Sequence, residues 1–207
     1  MANRKVIVYI DGFNFYFGLK STKWKSYYWL DTVKFFGKFL KSYQELVQVN
    51  YFSAIPHDSG KQDRQDLFFS ANKLNPKFQL HLGKFLEKKI KCRECKNFHI
   101  SYEEKESDVR IATTMIADVV SNKCDISILV SADSDLIPPI EFIRSFKPSH
   151  KIFVYFPPKR FSYDLRNKCD QFVLLERHQS KFEDSMLEDE ITHPTSGYLL
   201  QRPLKWK

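Results

Sequence analysis

Three short runs in this chain, KVIVYID (5–11), DISILVSA (125–132) and KIFVYFPP (151–158), are rich in β-branched and aromatic residues with almost no polar alternation. A strand that wets one face alternates apolar and polar side chains. A strand that is apolar throughout is covered on both faces, as in a parallel sheet held between two layers of helices. Two further strand-like runs, ELVQVNYFSAI (45–55) and QFVLLE (171–176), fit the same sheet.

The intervening segments read as helices. FNFYFGLK makes a short one, and DTVKFFGKFLKSY (31–43) an amphipathic one capped by Asp31. SGKQDRQDLFFSANKLN (59–75) has a polar face and stops before Pro76. DVRIATTMIADVVSN (108–122) carries the clearest helical stripe, Ile111, Met115, Ile116 and Val119, with Asp108 as its expected N-cap. DLIPPIEFIRSF (135–146) keeps its two prolines in the first turn, where a missing N–H costs little, and RFSYDLRNKCD (160–170) reads as a last short helix. KFQLHLGKFLEKK (77–89) and NFHISYEEKES (97–107) read as two β segments around a cysteine-bearing turn. The expected architecture is α/β, a mostly parallel central sheet with helices on both faces and a small Cys-bearing β-hairpin insertion at 77–105. The domain is expected to span 1–176, followed by a polar, basic C-terminal tail, 177–207, that packs on it or is partly mobile.

Such sheets bind ligands outside the carboxyl ends of their strands. Asp11, Asp133 and Asp135 all follow apolar runs and would meet at that edge, joined by Asp108 if its helix starts there. Clustered carboxylates repel unless they are protonated or share a cation, and hard oxygen ligands left partly open suit Mg²⁺ or Mn²⁺. With Asn14 and Ser131 as neutral partners, the set would hydrolyse a phosphodiester. Taken singly, Asp108 and Asp135 read equally as N-caps and Asp11 as a turn residue.

Charge narrows the partner. The 207 residues carry a formal net charge of +8, which favours nucleic acid first and an acidic surface second, although lysine also serves solubility. No run of about 18 apolar residues and no small-residue cleavage site is present, so the expectation is a cytoplasmic protein without a membrane partner.

YIDGFNFYFGL, YEEKESDVRIATTMIADV and DISILVSADSDLIPPIEFIR, in that order, resemble the NYN domain family, a branch of the PIN-like nucleases, across roughly residues 5–176. FPPKR and the tail SGYLLQRPLKWK resemble a bacterial subgroup. The resemblance implies a Rossmann-like PIN fold and a Mg²⁺- or Mn²⁺-dependent endoribonuclease acting on single-stranded or structured RNA. It makes Asp11 the first-strand acid with Asn14 its companion, Asp108 the helix-start acid, and Asp133 and Asp135 the later pair. Some relatives carry another Asp where this chain has Thr114. Asp118 lies ten residues beyond Asp108, about 15 Å along a helix, too far to share a metal with it; it reads as a solvated or paired helix residue. That reduced acid set keeps a second reading open, a non-catalytic RNA-binding module on the same fold.

Other motifs are secondary. Cys92 and Cys95 have zinc-knuckle spacing, with His81 and His99 in reach, yet a structural zinc needs about four ligands. A zinc completed within one chain, or shared in a homodimer, stands beside a reduced, metal-free turn, which two cysteines alone favour. Cys124 and Cys169 read as core thiols. Basic and aromatic residues interleave in KSTKWKSYYW (20–29), PPKRFSYDLR (157–166) and LKWK (204–207), where Trp24, Tyr28 or Phe161 would stack on bases or simply pack. Lys159 and Arg160 follow a strand end and are the expected phosphate contacts. A haloacid-dehalogenase phosphatase would want an acid at Phe13, and the glycine-rich nucleotide loops are absent from the sequence.

Overall fold

The computed structural model describes residues 3–56, 58–91, 94 and 97–207, and for residues 99 and 101–104 the backbone alone. The chain opens with β1 (Arg4–Asp11) and α1 (Gly12–Ser21), then α2 (Thr32–Gly37), β2 (Gln44–Ala54) and α3 (Ser59–Lys73). Next come β3 (Phe78–Lys91), β4 (Phe98–Lys105), α4 (Ser107–Val120) and β5 (Ile126–Val130). After a short 3-10 turn at Ser134–Leu136 follow α5 (Ile137–Phe146), β6 (Lys151–Phe156), α6 (Tyr163–Lys168) and β7 (Gln171–Leu174). The sheet order is β4-β3-β2-β1-β5-β6-β7. All neighbouring pairs are parallel except β3 with β4, so six parallel strands carry one antiparallel edge strand.

β1 shows why an unbroken apolar run is needed. Val6, Val8 and Ile10 enter one core with Phe15 of α1, Phe35 and Phe36 of α2, and Phe68 and Phe69 of α3. Ile7 and Tyr9 enter the opposite core with Ile111, Met115 and Val119 of α4, Ile140 and Ile143 of α5 and Leu165 of α6. Each of these β1 aliphatics is fully buried, contributing about 1.5–3 kcal/mol. α1 leaves β1 without a loop because Gly12 has no side chain. A Cβ there would lie 2.5 Å from both the Phe52 carbonyl oxygen and Tyr51 Cε1.

Two helix boundaries differ from the sequence pattern. α2 stops at Gly37 rather than running to residue 43, although Asp31 caps it as expected by accepting from the Lys34 amide at 2.9 Å. Phe39 and Leu40 still pack on the core from the turn that follows. α4 begins at Ser107, preceded by Glu106 in the left-handed region (φ 76°), so Asp108 is not the N-cap but a first-turn residue. Its carboxylate is therefore not consumed by its own helix.

Beyond β7 the chain returns across the first core through α7 (Gln179–Glu183), β8 (Glu190–Thr192) and β9 (Leu199–Gln201). Phe182 is fully buried, its ring 4.2 Å from that of Phe35. The Asp31 amide donates to the Ser185 carbonyl at 2.9 Å, and Trp29 Nε1 to that of Glu188 at 2.8 Å. Trp24 packs against Phe182 and Trp206 against Tyr28, so these aromatics serve the fold. Among the described residues, no helix is long and apolar enough to cross a membrane.

Candidate active site

β1 lies where the sheet changes direction, with β2 and β3 on one side and β5, β6 and β7 on the other. The crevice at the carboxyl ends of β1 and β5 is thus a topological switch point, the usual place for a ligand in an open parallel sheet. Asp11 ends β1, and Ser131 and Asp133 follow β5 directly.

Asp11 is buried and held from three directions. Its Oδ1 accepts from the Asn14 amide at 2.9 Å, and its Oδ2 accepts from Asn14 Nδ2 at 2.7 Å and Ser131 Oγ at 2.8 Å. Loss of water pushes its pKa up; the Asn14 and Ser131 hydrogen bonds oppose this, and the Asp133 charge adds to it. The fully buried Ser131 hydroxyl also accepts from the Asp133 amide at 3.0 Å, so one oxygen sets two acids. Asp133 is half-buried, and its Oδ1 accepts from the amide of exposed Asp135 at 3.0 Å.

Asp108 reports the convergence. Its carboxyl is pushed up to about 6, first by loss of water around it and then by Asp11, Asp133 and Asp135. Three acids from two distant loops thus act on a fourth at the start of α4. Among the described residues, none of the four takes part in an ion pair. Their donor set, hard oxygens without a basic partner, fits Mg²⁺ or Mn²⁺. Among the described residues, however, no three His, Cys, Asp or Glu side chains are grouped tightly enough to hold an ion as they stand. The acids are neighbours without being a closed cage.

A pH response follows. Asp108 has a folded pKa above its ordinary 3.8, so the fold binds more protons there than the unfolded chain. Without a cation, stability is expected to fall as pH rises from about 4 to about 6. A divalent ion held by these acids would compete with that proton. Mn²⁺ is expected to raise the melting temperature at pH 7 and to do so much less at pH 5, with the contrast flattened in Asp108→Asn; melts in Mn²⁺ and in chelator at both pH values check this.

Lys159 and Arg160 follow β6 on the same carboxyl-end side, two strands from β1. Lys159, at φ 56°, gives its amide to Glu176 at 3.2 Å and its ammonium to the same oxygen at 3.5 Å. Arg160 lines a cavity of about 210 Å³ with Pro157, Phe161 and Leu174, and Lys159 also borders one of about 530 Å³ with Lys23, Trp24 and Arg177. Neither cavity is lined by the four acids. Cys92 and Cys95 lie outside the described residues. His81, proposed beside them, stacks on Phe52 with ring centroids 4.5 Å apart and bonds Asn50 Oδ1 at 2.9 Å. Cys124 and Cys169 are free thiols.

Asp118, expected to be solvated or paired, is paired. It is buried, accepting from Tyr9 Oη at 3.0 Å and pairing with Lys123 Nζ at 2.8 Å. The signal was present in the register of α4: Asp118 falls between Met115 and Val119 on the apolar stripe.

The profile of the NYN domain matches residues 5–176, most of the chain and all of its parallel sheet. The chain belongs to the NYN domain family. That family lies within the PIN-like nuclease superfamily, and the six-strand parallel sheet flanked by helices agrees with a PIN-like fold. This NYN chain is also similar to a Pseudomonas putida protein, 6-hydroxy-3-succinoylpyridine 3-monooxygenase HspA, at 26% identity over 174 residues. That match takes in 67% of the chain but 55% of HspA, so the chain spans about half the length of the curated relative it matches. A crystal structure of a Vibrio parahaemolyticus protein of unknown function shares the fold, with a TM-score of 0.56 and 18% identity over 89% of this chain and 97% of that one.

Proposed function

We propose that this NYN domain is a Mg²⁺- or Mn²⁺-dependent endoribonuclease acting in the cytoplasm, with Asp11, Asp108, Asp133 and Asp135 around the reacting phosphate. The observation that carries the reading is the meeting of Asp11 and Asp133 on the shared Ser131 hydroxyl at the carboxyl ends of β1 and β5, with Asp108 close enough that burial first and then Asp11, Asp133 and Asp135 raise its carboxyl. One or two bound cations would activate a water for in-line attack at phosphorus and offset charge on the leaving oxygen. Asn14 and Ser131 fix Asp11 so that its carboxylate needs no reorganisation. Lys159 and Arg160, at the same side of the sheet, would hold phosphates of the strand.

The monooxygenase activity in the name of HspA belongs to that protein; four converging carboxylates suit hydrolysis. Thr114 and the open spacing of the acids favour a second reading, an RNA-binding module without cleavage. Incubating native chain and Asp133→Asn with labelled RNA and DNA in Mg²⁺, Mn²⁺ or chelator separates the two. The native chain is expected to cut RNA only with a divalent ion, and Asp133→Asn to lose that activity. Equal residual cleavage by both proteins would sink the assignment. RNA binding with no cleavage would leave the binding module.

A further inference from the structure

β3 outruns the sheet. Its pairing with β2 ends at Gly83 opposite Ala54, but β3 continues through Lys84–Lys91 paired only with β4. Eight residues at about 3.3 Å each carry this arm about 26 Å past the sheet. It leaves from the edge that carries Asp11, because β1, β2 and β3 run parallel and Asp11, Phe52 and His81 occupy one row. Its foot is fixed beside the candidate site. A Cβ on Gly83 would lie 2.7 Å from the Lys105 carbonyl oxygen and 3.1 Å from Ser107 Oγ, one residue before Asp108.

A two-stranded ribbon is marginal in water without something packed on it. This one exposes Leu86 at 53%, Ile90 at 46%, Phe98 at 68% and Ile100 at 57%. Directly opposed residues of an antiparallel pair share a face, and the register sets Lys89 opposite Ile100 and Lys91 opposite Phe98. One face therefore offers two ammonium groups and an exposed ring, with Lys91 Nζ 5.9 Å from the Phe98 centroid. Charge selects the occupant. The two strands of the arm, 84–91 and 98–105, together hold five lysines against Glu87, Glu103 and Glu104, and Lys89 and Lys91 lie further out along the arm than all three acids, so a second copy of the arm would bring like charges together. A polyanion with stacking bases would satisfy both the charge and the ring.

We propose that this face of the β3–β4 arm is a track for unpaired RNA, with Phe98 stacking on a base and Lys89 and Lys91 holding flanking phosphates. The strand is thereby led to the acidic rim at the arm's foot. The proposal deepens the ribonuclease reading and rests on it for the identity of the strand.

The test uses Asp133→Asn protein in chelator, so that nothing is cut, and a fluorescein-labelled single-stranded RNA of about 12 nucleotides. Phe98→Ala is expected to weaken binding roughly tenfold or more, and Phe98→Trp to restore it. Lys89→Ala with Lys91→Ala is expected to shallow the log affinity against log salt slope by about 1.4, near 0.7 per phosphate contact. A duplex of the same sequence is expected to bind with no sensitivity to Phe98→Ala. The substituted side chains are exposed, so unchanged melting temperatures confirm that each variant folds. If the alanine variants bind within about twofold of the parent with an unchanged slope, or if the duplex responds to Phe98→Ala as the single strand does, the proposal is overturned, whatever the cleavage assay gives. Arm-dependent binding beside a native chain that never cleaves RNA would instead remove the nuclease reading alone.

Discussion

Asp11→Asn is expected to lower divalent-ion-dependent RNA cleavage by at least about 100-fold while RNA binding persists. The substitution keeps the shape of a side chain that is 4% exposed, so no cavity opens. Its amide oxygen can still accept from the Asn14 amide, now 2.9 Å from Oδ1, and α1 keeps its cap. What disappears is the negative charge, together with the Oδ2 acceptor, since an amide nitrogen in its place cannot accept from Asn14 Nδ2 or Ser131 Oγ. That loss removes one of the three acids raising Asp108, so the Asp108 carboxyl should titrate nearer its ordinary range. Without a cation the relief of repulsion at Asp108 offsets part of the cost of those two lost bonds, and the Mn²⁺-induced rise in melting temperature should shrink. Asp11→Ala confuses the experiment, because it strands the Ser131 hydroxyl and both Asn14 donors in a buried site. Cleavage rates, anisotropy with the same RNA and paired melts check the whole pattern. Undiminished cleavage by folded Asp11→Asn would detach the chemistry from this rim.

The strands and their acids were legible because both obey local rules. An apolar run such as Val6–Ile10 has no solution except burial on both faces, and the carboxyl-end rule then places Asp11 without knowledge of the rest. Asp108 was placed in the right neighbourhood for the wrong reason. The N-cap pattern suggested it, but left-handed Glu106 makes the turn instead and Asp108 sits inside the helix. No propensity scale favours a non-glycine residue at positive φ, so that boundary depends on how β4 enters α4. The arm was legible as a β hairpin, but its reach was not. Where β2 stops at Ala54 is a fact about the partner strand, and the sequence of β3 has no break at Gly83 that announces it. The interaction of Ser131 with Asp11 across 120 residues was expected only as proximity; that its hydroxyl is fully spent on two acids needed coordinates.

Asp118→Ala carries the largest expected loss of stability. Asp118 Oδ2 is the acceptor for the Tyr9 hydroxyl, and Tyr9 is fully buried on β1 beneath α4. Burial first, then the neighbouring Cys124 and Asp118 charges, holds the phenol far toward its neutral form, so it must donate a proton to something. Its other neighbour is Cys124 Sγ at 4.0 Å, a weak substitute. Lys123 loses its partner, but its own side chain is 58% exposed and can turn to water. The dominant penalty is thus the stranded hydroxyl plus the lost carboxylate packing, together about 2–3 kcal/mol. For a chain of this size that corresponds to a melting temperature lower by about 5–10 °C. Tyr9→Phe alone should cost about 1 kcal/mol, because Asp118 keeps Lys123. The double variant should then cost less than the two single losses added, since removing the hydroxyl removes what Asp118→Ala strands. Strict additivity in urea melts would show that Tyr9 and Asp118 are not coupled, and that the buried bond contributes nothing of its own to the seating of α4 on β1.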